Sequence, residues 1–272
     1  MLCRWKFFSL RSKATNFNDE ELKNAINFAH SINKKIYITA NVFAFNDDLE
    51  KIREYFLFLN NIKPDGVFIS DLGVLKIARE VLKDVEIHIS TQANTTNLSA
   101  VLFYRDLGVK RVVLARELKM IDIEYIKKNV GNTIEIEAFI HGSMCISFSG
   151  RCLLSSFLTG KSSNLGECTH PCRWKYEILD KEFEFIEETR KNDIYSIIEN
   201  ERGSYIFNSK DLSMIEHIDD LVNLNIDSLK IEGRMKTELY IATIARVYRK
   251  AIDDYCSNKK LYYENIKIML KK

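Results

Sequence analysis

The chain has 272 residues, 46% of them hydrophobic, and its 40 Lys and Arg residues nearly balance its 38 Asp and Glu residues, which leaves a net charge of +2. This length suits one large domain or two small ones, and the charge balance excludes an argument for nucleic-acid binding from the overall field, so any RNA contact must come from a local basic patch. No apolar run approaches the roughly 20 residues of a membrane-spanning helix, and the N-terminus lacks the pattern of a secretory signal. We therefore expect a cytoplasmic protein with no membrane partner.

The first half of the chain predicts alternating helices and strands. Asn18 and Glu21 have the spacing of a capping box at the start of a helix over residues 19–32. The β-branched run 35–41 then predicts a buried strand. The alternation continues through helices near 47–60, 72–83, 97–107 and 120–129 and strands at 66–70, 85–90, 110–115 and 134–140. Repeated βα units favour a parallel sheet covered by helices.

The alternation stops after residue 141. Residues 175–207 are polar and irregular, apart from a short strand predicted at 205–207, and Asp211 is predicted to open a helix that ends near residue 223. One more strand is predicted at 227–232, followed by a long helix from Thr237. Five strands before the interruption and one after it make six, whereas a closed (β/α)8 barrel needs eight.

Four cysteines fall within one stretch of the chain: Cys145, Cys152, Cys168 and Cys172. In a chain expected in a reducing compartment, such a group indicates a metal or iron–sulfur site before it indicates disulfides. The gaps of six and fifteen residues are looser than usual zinc pairs and fit a loop-held cluster equally well, so spacing alone does not choose between zinc and iron–sulfur. Buried structural thiols or a redox disulfide are the alternatives. The isolated Cys3 and Cys256 are predicted to be structural.

Polar and charged residues follow the ends of almost all the predicted strands. Reactive groups of βα folds gather at the C-terminal ends of the strands, so these residues are candidates for a site: Asn41, Asp71, His88, Gln92, Asn94, Arg116, Glu117, His141, Glu232 and Arg234. Cys145 follows His141 by four positions, so the thiols are expected on the same rim. Simpler interpretations are a satisfied core histidine at His88 and a surface ion pair of Arg116 with Glu117.

The segment 137–155, which contains the first two of these cysteines, resembles the signature of the collagenase-like peptidase family (unassigned peptidase family U-thirty-two). Segments 8–17, 88–94, 111–117, 207–212 and 230–236 resemble further blocks of that family, in family order. The resemblance implies an α/β, TIM-type (β/α)8 barrel with a cysteine-rich insertion after the strand that ends near Ile140. Family members have two strands before the block that here begins at Phe8, so we expect the first two strands to be absent.

The predicted organisation is one structural domain in three parts. Residues 1–144 are the βα-repeat part of the barrel, 145–207 are the cluster-binding insertion, and 208–272 are the last barrel strand and the C-terminal helix.

The resemblance also implies an activity. The sequence offers no Ser/His/Asp or Cys/His nucleophile with assignable roles and no H-E-x-x-H motif, so proteolysis is not the favoured interpretation. Segments 207–212 and 230–236 look most like the branch that converts the wobble uridine of tRNA to 5-hydroxyuridine without oxygen, with prephenate as the hydroxyl source. In that branch a [4Fe-4S] cluster is implied on Cys145, Cys152, Cys168 and Cys172. The catalytic candidates are then His88, Glu117, His141 and Glu232, and the substrate-binding candidates are Gln92, Arg116 and Arg234.

Two other functions are weighed against the tRNA hydroxylase. The family name taken literally implies a peptidase acting on collagen-like substrates. The shortened start of the barrel instead favours a non-catalytic subunit, binding a cluster or zinc, that a family paralogue completes in a hetero-oligomer.

Overall fold

The computed structural model describes residues 2–4, 17–174, 185–186, 194–195, 198–200, 203–205, 211–233 and 236–270. Within these ranges the strands are β1 (Leu2–Arg4), β2 (Tyr37–Ala40), β3 (Gly66–Ile69), β4 (Glu86–Ile89), β5 (Arg111–Val113), β6 (Glu135–Ser143), β7 (Phe185–Ile186), β8 (Ile194–Tyr195), β9 (Ile198–Asn200), β10 (Gly203–Tyr205), β11 (Asp211–Ser213) and β12 (Ser228–Ile231). The α-helices are α1 (Asp19–Ser31), α2 (Leu49–Ile62), α3 (Leu72–Val81), α4 (Leu98–Asp106), α5 (Met120–Val130), α6 (Leu154–Thr159), α7 (Ile218–Asn223), α8 (Glu238–Ser257) and α9 (Lys259–Leu270).

One mixed sheet of eight strands organises the molecule. Strands β1 to β6 lie side by side in chain order, all parallel, and β12 continues the parallel arrangement beyond β6. The short β11 pairs antiparallel with the end of β6. Among the described residues β1 and β12 do not pair with each other, so the sheet is open and a closed barrel is not observed. The ladders β7–β8 and β9–β10 are separate from this sheet.

Three sequence predictions about the elements need correction. Leu2–Arg4 forms a strand ahead of the Phe8 block and pairs with β2, so the prediction that both strands before that block are absent is wrong. Asp211 does not open a helix, because residues 211–213 pair with β6 and the helix begins only at Ile218. The helix α9 follows α8 and was missed. Residues 206–207 of the predicted strand lie outside the described residues, although β10 ends at Tyr205.

The helices are placed by their apolar faces. The capping box predicted at Asn18 and Glu21 is confirmed, with Glu21 N–H donating to Asn18 Oδ1 at 2.9 Å. Leu22 and Ile26 of α1 are almost fully buried in the same core as Ile38 of β2. Each such side chain contributes about 1.5–3 kcal/mol by leaving water. A second cluster packs α7, α8 and α9 around Ile140 of β6.

None of the helices in the described part of the chain has both the length and the apolar character that crossing a bilayer requires.

A buried ionic network joins three neighbouring strands. Glu137 of β6, 4% exposed, accepts hydrogen bonds from Lys230 Nζ at 2.6 Å, Ser228 Oγ at 2.9 Å and Arg111 Nη1 at 3.2 Å. Burial by itself raises the pKa of Glu137, but the neighbouring Lys230, Ser228 and Arg111 outweigh it and hold the pKa below its ordinary value. Arg111 also donates to Glu135 at 2.8 Å. Glu137 therefore ties β5, β6 and β12 together as a carboxylate.

His88 lies inside the sheet layer, with none of its side chain exposed. Its ring centroid is 4.9 Å from that of Phe68 and 5.1 Å from that of Tyr37, and its Nε2 lies 3.0 Å from Glu86 Oε2. Gly66 leaves room for the ring, since a Cβ there would lie 3.2 Å from it. Burial lowers the pKa of His88, although the hydrogen bond to Glu86 acts in the opposite direction.

We expect His88 to make the protein acid-sensitive. Its pKa in the folded state is below the value of about 6.5 in the unfolded chain, so below about pH 6.5 the unfolded state takes up a proton that the folded state refuses. Stability is then lost as pH falls, by up to about 1.4 kcal/mol per pH unit. The free energy of unfolding, measured in urea between pH 7.5 and 5.5 (on the order of one unit either side of that pKa), should fall less steeply with falling pH for His88→Gln than for the wild type. An equal slope in the variant would contradict this assignment; His217→Gln, at an exposed position, is the control.

Candidate functional site

A cavity of about 890 Å³ opens where the parallel strands end. Residues that follow or end five of the strands line it: Asn41 after β2, Ser90 after β4, Arg116 after β5, Ser143 at the end of β6 and Glu232 after β12. The four clustered cysteines line the same cavity. The structure therefore brings the thiols and several strand-end residues to one place.

The Cys172 thiol is affected by the other three cysteines. Burial is the main cause that raises the pKa of Cys172, and Cys145, Cys168 and Cys152 add to it, while Arg173 acts in the opposite direction. Two backbone N–H groups point at sulfur, Leu154 N–H to Cys152 Sγ and His170 N–H to Cys168 Sγ, each at 3.4 Å. Such hydrogen bonds stabilise thiolate and tune any metal bound to it.

Glu117 holds the loop between Cys145 and Cys152. Its carboxylate accepts from the backbone N–H of Ser149 and, at 2.5 Å, from the Ser149 hydroxyl. Ser149 is buried and has a left-handed backbone with φ +40°, a conformation that costs about 1–3 kcal/mol and persists only where surrounding contacts hold it. The carboxylate supplies that support, so Glu117 positions the cysteine loop.

Gln92 and Asn94 contact the same loop. Asn94 Nδ2 donates to the Phe148 carbonyl at 3.1 Å. Gly150 has φ +87°, and a Cβ there would collide with the side-chain amide of Gln92. The loop after β4 is therefore fitted closely against the first cysteine loop.

Hydroxyl groups link the remaining cysteine loops. Ser163 Oγ donates to the Cys152 carbonyl at 2.5 Å, and Thr169 N–H donates to the buried Ser155 Oγ at 3.1 Å. Arg173 Nη2 donates to the Met144 carbonyl at 3.0 Å, which joins the last loop to the first. These bonds position Cys152 and Cys168 without a disulfide.

Arg116 joins two strand ends at the cavity wall. Its Nη1 donates to the Ser143 carbonyl at 2.6 Å and its Nη2 to Glu232 Oε2 at 3.3 Å. Its guanidinium carbon lies 3.9 Å from the centroid of the Phe139 ring. The pair is mostly buried, with side-chain exposures of 11% and 16%. The sequence also allowed a simpler interpretation, a surface ion pair of Arg116 with Glu117. In the structure Arg116 pairs with Glu232.

Three basic residues that line the cavity were missed by sequence reasoning: Lys230, Arg173 and Lys236. The ammonium of Lys230 lies 4.2 Å from the centroid of the Phe68 ring and is held by Glu137. The sequence did offer one signal for Lys230. It lies within the predicted strand 227–232, and alternate residues of a strand point to the same face of the sheet.

Five predicted site residues stand apart from the cavity or cannot be placed: Asp71, His88, Asn94, His141 and Arg234. Asp71 instead caps α3, where its Oδ1 accepts from Val74 N–H at 3.0 Å. His88 is in the sheet interior and does not line the cavity. His141 does not line it either; its Nε2 lies 2.9 Å from Tyr240 Oη and its Nδ1 3.3 Å from Tyr248 Oη. Burial lowers the pKa of His141. Arg234 lies outside the described residues.

The fold and site together define a class of protein, in which parallel βα units end on a cavity lined by four cysteines. Residues 2–272 match the family model described as Peptidase family U32. The chain belongs to that family.

Relatives carry two kinds of name. The chain is 40% identical to tRNA hydroxylation protein P1 of Bacillus subtilis over 92% of its length and 57% of the relative's. It is 37% identical to tRNA hydroxylation protein P of Escherichia coli, over 93% of this chain and 62% of that protein. It is also 37% identical to an uncharacterized protease of Methanocaldococcus jannaschii, over 99% of this chain and 63% of that one. The chain thus spans less than two thirds of the length of each of these relatives.

Proposed function

We propose that this protein acts in the oxygen-independent hydroxylation of the wobble uridine of tRNA to 5-hydroxyuridine, with a [4Fe-4S] cluster as cofactor and prephenate as the source of the hydroxyl group. Relatives named tRNA hydroxylation proteins support the reaction class. The observation that carries the proposal is the single cavity lined by all four clustered cysteines and by Arg116 and Glu232.

In this proposal a cluster comes before a single zinc ion, which is the second choice, because the resemblance to the hydroxylase branch implies a cluster. Zinc requires every sulfur at about 2.3 Å from one point, whereas a cluster spreads its four thiolates over four iron atoms. When bound, a cluster supplies Lewis-acid or electron-transfer chemistry.

The cavity residues provide the means to bind a dicarboxylate beside the thiols. Arg116 and Lys230 are cations on its wall, and guanidinium binds carboxylate in a bidentate manner. Arg116 is paired with Glu232 and Lys230 with Glu137, so in this proposal the dicarboxylate competes with these two carboxylates for the cations. In the net reaction the donor's hydroxyl replaces the hydrogen on C5 of uracil; C5 loses two electrons, and the donor carbon gains them with one proton.

The direct test uses tRNA from a bacterial strain that lacks its own tRNA hydroxylation proteins. Expression of this chain should restore 5-hydroxyuridine, measured by mass spectrometry of tRNA nucleosides, and restoration should fail when the strain cannot make prephenate. Unmodified tRNA despite good expression would contradict the proposal. Restoration only with a co-expressed family paralogue would favour the subunit alternative and a hetero-oligomer.

The peptidase alternative is favoured by one observation, the relative named as an uncharacterized protease. It has a separate test, in which the purified protein is incubated with gelatin, the denatured form of collagen. Cleavage that Cys152→Ser leaves intact would support a peptidase that does not depend on the cluster.

A further inference from the structure

Exposed apolar and cationic side chains alternate along the cysteine segment between residues 148 and 161. They are Phe148, Arg151, Leu153, Phe157 and Lys161, and we refer to them as the rim patch. The apolar members are 53%, 74% and 85% exposed in chain order. Their sequence neighbours Ser147, Ser149, Cys152 and Leu154 line the cavity. The rim patch is therefore carried by the same loops that form the cavity wall.

Within the part of the chain that the structure describes, these side chains remain largely in water. A phenylalanine with 85% of its surface in water, such as Phe157, adds little to the hydrophobic stabilisation of the fold. Leu153 and Phe157 are four residues apart and joined by the hydrogen bond from Phe157 N–H to the Leu153 carbonyl, so they lie on one side of a helical turn. Clustered exposed apolar side chains commonly mark a binding surface.

The charge of the segment indicates the partner. Residues 145–174 contain three Lys or Arg residues and one acid, Glu167, so this segment alone carries an excess of two positive charges. Arg151 and Lys161 are exposed, and the Arg151 guanidinium lies 5.5 Å from the centroid of the Phe43 ring. Exposed aromatic rings with cations between them bind single-stranded nucleic acid, because rings stack on bases and cations neutralise phosphates. The core of a protein–protein interface, by contrast, is depleted of lysine.

We propose that the rim patch binds a single-stranded RNA loop from which one nucleotide enters the cavity. This inference rests on the proposed function and names the residues that recognise its RNA substrate. A cavity of about 890 Å³ is within the size range of small-ligand sites and holds a nucleotide with a small co-substrate, but no duplex. A base in a loop is also easier to extrude than one in a helix, where unstacking costs a few kcal/mol.

The test measures binding of a fluorescently labelled RNA hairpin that carries a tRNA anticodon loop, by anisotropy, with the full chain. Phe157→Ala should weaken binding about fivefold or more, since one base–aromatic stack is worth about 1–3 kcal/mol. Phe28→Ala is the matched control, because Phe28 is 66% exposed on α1, which contributes no residue to the cavity lining. Lys161→Gln should reduce the slope of log affinity against log salt by about 0.7. A fully paired duplex of the same stem should bind more weakly than the hairpin.

The possible outcomes distinguish failure of this inference alone from failure of the proposed function. If the wild-type protein binds the hairpin and Phe157→Ala binds equally well, the rim patch is not the RNA surface, while the proposed function stands. Loss of a protein partner in Phe157→Ala with unchanged RNA binding would overturn the inference in the same way. If the wild-type protein binds neither hairpin nor tRNA and restores no 5-hydroxyuridine, both fall. Circular dichroism of the variants, expected to match the wild type, shows that folding is not the cause.

Discussion

Replacement of Cys152 by Ser should abolish the iron–sulfur content of the protein and, with it, any restored 5-hydroxyuridine. Cys152 is 8% exposed, lines the cavity and receives a backbone N–H on its sulfur. A serine oxygen does not replace the thiolate that iron–sulfur clusters require as ligand. The measurements are iron and acid-labile sulfide per chain after anaerobic purification, the visible absorbance of the cluster, and nucleoside mass spectrometry of tRNA.

The matched control is Cys256→Ser. Cys256 is a free, exposed cysteine on α8 that does not line the cavity, and its replacement should change neither iron content nor activity. Zinc in place of iron in the wild-type protein would contradict the cluster proposal, and retention of full iron content by Cys152→Ser would contradict the ligand assignment.

Replacement of Glu137 by Gln should cost about 3 kcal/mol or more of unfolding free energy. Removing one member of a buried ionic group leaves the other charges uncompensated, an effect of about 3–5 kcal/mol. Here the Lys230 side chain, 15% exposed, loses the carboxylate that it contacts, and the Arg111 side chain, 10% exposed, loses one of its two and keeps Glu135. Urea unfolding followed by circular dichroism at pH 7.5 (roughly three units above the ordinary pKa of a glutamate) measures the change.

Asp253→Asn provides the comparison for Glu137. Asp253 pairs with Arg249 at 2.7 Å, but the two side chains are 65% and 61% exposed, and such surface pairs contribute little. A loss for Glu137→Gln no larger than for Asp253→Asn would contradict the importance of the buried network. Because the folded-state pKa of Glu137 is lowered, the stabilisation is present above the unfolded pKa and is lost as pH falls through the folded one. The wild type should therefore approach Glu137→Gln in stability at strongly acid pH.

Local patterns predicted most of the elements correctly because their causes are local. The capping box at Asn18 and the βα alternation from residue 19 to residue 143 depend on residues a few positions apart. β11 could not be predicted in this way, because residues 211–213 become a strand only by pairing with the end of β6, about 70 residues earlier. β1 was missed since three residues give too short a pattern, and its evidence is the pairing with β2.

The candidate site shows the same division. The sequence places Glu117 and Gln92 just beyond strand ends, and both line the cavity. Their contacts with Ser149 and Gly150 depend on how a loop some 30 to 60 residues later folds back over them. His88 was predicted for the rim, but β4 continues to Ile89, and the ring points into the sheet layer between Phe68 and Tyr37.

The sequence by itself determined the βα alternation and the four clustered cysteines, because periodicity and spacing are local, and its segments resembled the family that the family model then matched. Only the tertiary structure decided that all four cysteines line one cavity with Arg116 and Lys230, that Glu137 is the buried anion for two cations, and that Phe157 remains in water. The physical reason is distance along the chain. Burial and ion pairing bring together segments up to about 100 residues apart, as for Lys230 and Glu137. A pattern within one segment does not show which distant segment it will contact.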